Sequence, residues 1–178
     1  VVEKYLDYNL DPLPQDPNAL NIWTYKTFHI EDYRMVKYSI SHCADFFRGI
    51  KKLVGLFSEQ ELPAFFKIYI ERAEQLLREP PLAKISSSRP GEKFTPAQSL
   101  YFGYYIRNRY KNDTIELLEI FGRLDAWYSM AIAMKTFDLR FPEFIEKDRP
   151  IIHAKDLYHL LLKQPVSYDV DLNPDHNF

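Results

Sequence analysis

Residues 115–137, IELLEIFGRLDAWYSMAIAMKTF, and residues 141–178, FPEFIEKDRPIIHAKDLYHLLLKQPVSYDVDLNPDHNF, decide the fold. In the first stretch Leu117, Ile120, Leu124, Trp127, Ala131 and Met134 recur at helical spacing, and Ile115, Leu118 and Ile132 widen the stripe. That pattern predicts a deeply buried helix. Phe141-Pro142 predicts its end, because proline removes a backbone donor and disfavours helical geometry in the residue before it. Beyond it, RPIIHA, DLYHLLL and PVSYDVDL read as short extended pieces separated by turns. Helices first and strands afterwards predict a mainly α protein, a long-helix bundle with a short strand-containing C-terminal segment. The expected division is residues 1–140 as a helical domain and 141–178 as the opening of a second one. A chain that closes one domain and stops within another is expected to be a piece of a longer protein, and a start at Val1 fits that expectation.

Upstream, a long helix is the clearest signal. Tyr33, Val36, Ile40, Cys43, Phe47, Ile50 and Val54 recur at steps of three and four. This predicts a rod packed lengthwise on a partner, weakened at Gly55. Residues 9–21, NLDPLPQDPNALN, read as an extended connector. Ser58 with Glu61 matches a capping box, although Pro63 slides the expected helix start to Leu62 with proline at the first helical position. Phe65, Phe66, Tyr69, Ala73 and Leu76 then form the expected apolar face, ending before Pro80-Pro81. Residues 84–94, KISSSRPGEKF, read as a flexible crossing. Thr95, Pro96 and Gln98 predict a second helix start, running through YFGYYIRNRYK. Asp113 with Glu116 predicts either a break near Asn112 or one continuous helix.

Bulk properties set limits. The 178 residues are 46% hydrophobic, enough for one sizeable core or a domain with part of a neighbour. Lys and Arg total 23 against 25 acidic residues, so the chain as a whole is not drawn to polyanions, while a local basic patch stays open. The single cysteine excludes an intrachain disulfide and fits a reducing compartment, so a cytoplasmic location is expected. No apolar run approaches the roughly 18 residues of a spanning helix, and no membrane partner is expected.

No motif assembles a catalytic centre. The five glycines are scattered outside any GxxxxGK[ST] loop, and no HExxH, paired-histidine or acidic magnesium-binding pattern appears. No metal site is expected from the dispersed His29, His42, His153, His159 and His176. Cys43 lies on the apolar stripe, where a small buried hydrophobe is expected rather than a nucleophile. Asp125 interrupts an apolar helix. It reads as a proton-transfer acid or, more in keeping with the cost of burying a charge, as a tether to a cation or amides of another helix. Its loss is then expected to destabilise the fold. Tyr101 to Lys111 interleaves aromatics with Arg107, Arg109 and Lys111, which suits phosphate contact and base stacking. The same residues also suit an inward aromatic face with solvated cations.

The order LDAWYSMAIAMKTFDLRFPEF, a short interval, and LYHLLLKQPVSYDVDL resembles the junction between the helical core and the ATPase domain of the MutS family of DNA mismatch repair proteins. The family's leucine-aspartate and small-residue signature falls on Leu124, Asp125, Ser129 and Ala131, followed by the aromatic-proline pair Phe141-Pro142. The later elements fall on His159, Leu161, Val166, Asp169 and Leu172. Leu160 stands where the family has proline, and Tyr168 where it has asparagine. The resemblance covers about 60 residues, while residues 28–112 agree only in being long helices. It implies a helical lever or connector attached to the first strands of a truncated ATPase domain, without the family's phenylalanine-x-glutamate mismatch reader. It further implies ATP and Mg in the full-length parent, DNA as its partner, and a homodimer formed through the missing ATPase domain. Val166 would contact adenine there, and Arg107, Arg109 and Lys111 are the candidate DNA contacts. The fragment itself is expected to hold no cofactor and to be no enzyme. The alternative is a stand-alone helical protein-interaction module; a small enzyme using Asp125 and His159 is a third.

Overall fold

The computed structural model describes residues 1–57 and 60–176. Among them lie helices α1 (Val2–Asp7), α2 (Ala19–Phe28), α3 (Ile30–Phe57), α4 (Ala64–Leu77), α5 (Pro80–Ser86), α6 (Pro96–Asn108) and α7 (Lys111–Phe137). Strands β1 (Ile152–Leu157) and β2 (Tyr168–Leu172) follow. The protein is mainly α with a small antiparallel sheet near its C-terminal end, as the change of sequence pattern predicts. Two compact units divide within α7: Val1–Asp125 and Ala126–Phe178.

The first unit is built around α3. All seven residues of its predicted stripe, from Tyr33 to Val54, are buried, with Val36, Ile40, Cys43 and Phe47 wholly so. At 28 residues the rod is about 42 Å long, and α1, α2, α4, α5 and α6 all pack against it. Apolar spacing sustained over seven positions leaves one face to bury, so several short helices can share one rod.

Local chemistry then sets the ends. Thr95 Oγ1 accepts the Gln98 amide at 3.2 Å while Gln98 Oε1 accepts the Thr95 amide at 2.8 Å, completing the predicted capping box with Pro96 at the first helical position. Along α6, Gly103 is needed for close approach: a Cβ there would lie 2.7 Å from the Tyr5 hydroxyl and 2.9 Å from Val36 Cγ1.

Other expectations shift. Residues 9–18 are irregular, but α2 begins at Ala19, where Asn18 Oδ1 accepts the Asn21 amide at 2.9 Å. The Ser58 half of the expected capping box lies outside the described residues. Helix α4 starts at Ala64, with Pro63 as its cap rather than its first residue. Its buried face is Ile70, Ala73, Leu76 and Leu77, while Phe65 is 59% exposed. Ala73 and Leu76 belong to the expected stripe, but Ile70 and Leu77, two turns apart, set its orientation instead of the aromatics. Pro80-Pro81 opens α5 instead of only closing α4, because the first helical positions need no amide donor. The crossing therefore narrows to residues 87–94, where Gly91 takes φ of 74°. The break between α6 and α7 falls at Arg109 and Tyr110, and Thr114 Oγ1 donates back to the Tyr110 carbonyl at 2.7 Å.

Helix α7 departs most from expectation. Thr114, Leu117, Ile120 and Leu124 are buried, but Ala131 and Ile132 are exposed. The helix stops at Phe137, short of Pro142. Asp138 adopts φ of 50°, and the Leu139 amide donates to the Met134 carbonyl at 3.0 Å, a left-handed C-terminal cap.

In the second unit β1 and β2 pair antiparallel, with Ile152 opposite Leu172, His153 opposite Asp171 and Ala154 opposite Val170. The register shifts between Ala154 and Leu157, where Asp156 takes φ of 53° and its amide donates to Asp169 Oδ1 at 3.0 Å. This is a bulge, which twists a short sheet and re-aims the residues after it. No described residue of this unit is buried.

Candidate functional site

Helix α6 and the break after it line up tyrosines into a ladder. The rings of Tyr101 and Tyr105 lie 4.6 Å apart, and those of Tyr105 and Tyr110 lie 6.4 Å apart. All three side chains are half-buried. Burial pushes the Tyr101 and Tyr110 phenols upward, and nearby carboxylates add to it: Asp16 for Tyr101, Glu79 and Asp113 for Tyr110. The ladder therefore offers aromatic faces for stacking.

The three candidate cations divide. Arg107 donates from Nη1 to the Tyr5 carbonyl at 2.9 Å and from Nη2 to the Tyr8 carbonyl, while its guanidinium lies 5.9 Å from the centre of the Tyr5 ring. It caps the C-terminal end of α1, where unpaired carbonyls concentrate negative charge. Lys111 pairs with Asp7 at 2.9 Å. Both cations thus tie α1 to the α6–α7 corner. Arg109, the C-cap of α6, is exposed. Val166 is 83% exposed in the irregular stretch before β2.

Asp125 corrects an expectation. It is exposed on α7, because Leu124 alone of its immediate neighbours faces the core. The interhelical tether is made by other residues: Arg72 on α4 donates from Nε to Glu116 Oε1 at 2.6 Å and from Nη2 to Oε2 at 2.7 Å. This two-pronged bond holds the Glu116 carboxyl below the usual carboxylate range. Cys43 is the inert core residue that its place on the stripe suggests: it is buried, and burial pushes its thiol up to about 12.

Two arrangements were not legible beforehand. Asp11 in the connector, His29 after α2 and Asp32 in the first turn of α3 bring three ligand atoms within 4.8 Å of one another. One nitrogen and two carboxylate oxygens can suit a divalent ion. Here they satisfy each other: His29 Nδ1 lies 2.6 Å from Asp11 Oδ2, and the Asp11 amide donates to Asp32 Oδ2 at 2.9 Å. The cluster ties the connector to the α2–α3 corner.

The second arrangement is a groove of about 550 Å³ lined by Glu3, Leu6 and Asp7 of α1 and by Ile115, Leu118, Glu119 and Phe121 of α7. Helix α1 is one and a half turns long, too short to show an apolar period, so its wall of the groove leaves no sequence signal.

No family model, curated protein or solved structure matches the chain.

Proposed function

We propose that the chain is a non-catalytic helical connector of a MutS-like, DNA-associated ATPase, coupling nucleotide state to DNA engagement. The observation that carries this reading is the change of character within α7. The helix is buried at Leu117, Ile120 and Leu124 and then continues with Tyr128, Met130 and Ile132 exposed, before the β1–β2 pair. A helix transmits displacement along its length because its hydrogen bonds are internal. ATP and Mg belong to the parent, where Val166 would supply an apolar contact to adenine. The DNA-contact role narrows to Arg109, since Arg107 and Lys111 already have partners within the chain.

The test lies in the encoding gene. A GxxxxGK[ST] loop within about 15 residues after Phe178 supports the reading; a stop codon or an unrelated sequence there overturns it. The isolated chain is expected to hydrolyse no ATP and to bind DNA weakly at physiological salt. Tight binding whose affinity falls steeply with salt would make the Tyr101–Lys111 surface a nucleic-acid site in its own right.

A protein-interaction module is the second reading. It is favoured by α2, where Leu20, Trp23 and Phe28 are 58–70% exposed. Large apolar side chains left outward on one short helix suit a partner rather than water.

A further inference from the structure

We propose that the groove between α1 and α7 docks a basic amphipathic helix of a partner protein. Its floor and its rim differ in chemistry. Ile115, Leu118 and Phe121 supply apolar surface above the buried Leu6, and Ile115 and Phe121 remain 37% and 43% exposed. Phe121 is seated edge-on against Phe46 of α3 at 6.3 Å, so the floor rests on the central rod and is held in place. The rim carries Glu3, Asp7 and Glu119. Asp7 is matched by Lys111, which leaves Glu3 and Glu119, one on each wall, as charge to be answered by an incoming ligand.

The shape selects a helix. Both walls are helical, so neither offers a sheet edge for a strand to extend. Side chains alone must supply the contact. The α7 wall from Ile115 to Phe121 spans about 9 Å at the helical rise, which matches an apolar stripe at positions i, i+3 or i+4 and i+7 of a partner helix. Lysine or arginine flanking that stripe on both sides would reach Glu3 and Glu119. The charge pattern disfavours an acidic partner and a nucleic acid at this groove, because each would set like charges together. This inference is independent of the ATPase reading, since it concerns neither the DNA-contact residues nor the strands.

The probe is a designed 18-residue helix with leucine at i, i+3, i+4 and i+7 and lysine on both flanks, titrated into the intact chain by calorimetry. A second peptide carries glutamate in place of every lysine. The expected result is one site per chain for the basic peptide and none for the acidic one. Glu119→Lys, an exposed substitution, should weaken the basic peptide about tenfold or more while the melting temperature holds. Phe121→Ala should weaken it at every salt concentration, while the effect of Glu119→Lys fades as salt rises. Equal binding of both peptides, binding indifferent to Glu119→Lys, or no one-to-one binding would overturn the proposal. So would self-association of the chain that Phe121→Ala abolishes, because the occupant would then be a second copy.

Discussion

Tyr5 is wholly buried, and its hydroxyl finds no hydrogen-bond partner among the described residues. Burial drives its phenol far above the ordinary tyrosine range, so it stays neutral. An unpaired buried hydroxyl carries a desolvation cost, so Tyr5→Phe is expected to raise stability by about 1 kcal/mol in a urea titration. The neighbouring Gly103 gives a paired test. Gly103→Ala should destabilise, and Tyr5→Phe should relieve only part of the loss, because Val36 Cγ1 still lies 2.9 Å from the new Cβ. Full relief, or none, would show that the two sites are not packed as described. Cys43 yields a kinetic prediction at the same scale. Its thiol is buried on the same stripe as Ile40 and Phe47, and burial pushes it up to about 12. Labelling by a disulfide reagent should therefore follow the unfolding rate, and an immediate reaction in the native protein would refute the burial.

Elements were legible where one period ran long enough to exclude the alternatives. The α3 stripe holds three-and-four spacing over seven positions, and every one of them is buried. Phe47→Ala in that stripe should cost about 3–5 kcal/mol, measured as a shift in the urea midpoint. Asp125→Ala, on a helix of nearly the same length, should stay within about 0.5 kcal/mol because the carboxylate is exposed. Where apolar residues crowd together, as in AFFKIYI of α4, spacing fits more than one face and tertiary contact chooses among them. Short helices defeat the method differently: the six residues of α1 contain too few turns to repeat anything. The Arg72–Glu116 fork joins elements 44 residues apart, a distance no local pattern spans. Its sign with pH is fixed by the lowered Glu116 carboxyl. Its stabilisation is present above the ordinary carboxylate range and is lost as pH falls through the lowered value. Glu116→Gln should therefore lower the melting temperature at neutral pH and converge with the parent chain in acid.

At the scale of the whole molecule the two units differ in kind. The first has a core of large buried side chains, among them Tyr5, Phe47, Phe102, Leu82 and Leu117. Among the described residues of the second none is buried, and its sheet has two strands. A lone hairpin is marginally stable in water, since it buries little and its outer edges remain unpaired. The sequence foretold strands at RPIIHA and PVSYDVDL, but the third expected piece, DLYHLLL, forms no strand beyond Leu157, and the alternation of YDVDL does not reveal the lack of burial. Local opening free energy follows buried contacts, so native-state hydrogen exchange should separate the units. Amides of α3 between Val36 and Ile50 should exchange only by global unfolding, and those of β1 and β2 many times faster. Trypsin should likewise cut at Lys147 or Lys163 before it reaches Arg48 or Lys51. Equal protection across the two units would mean that the exposed side chains of Phe144, Leu161 and Val166 are covered in solution, and the second unit would then have a core of its own.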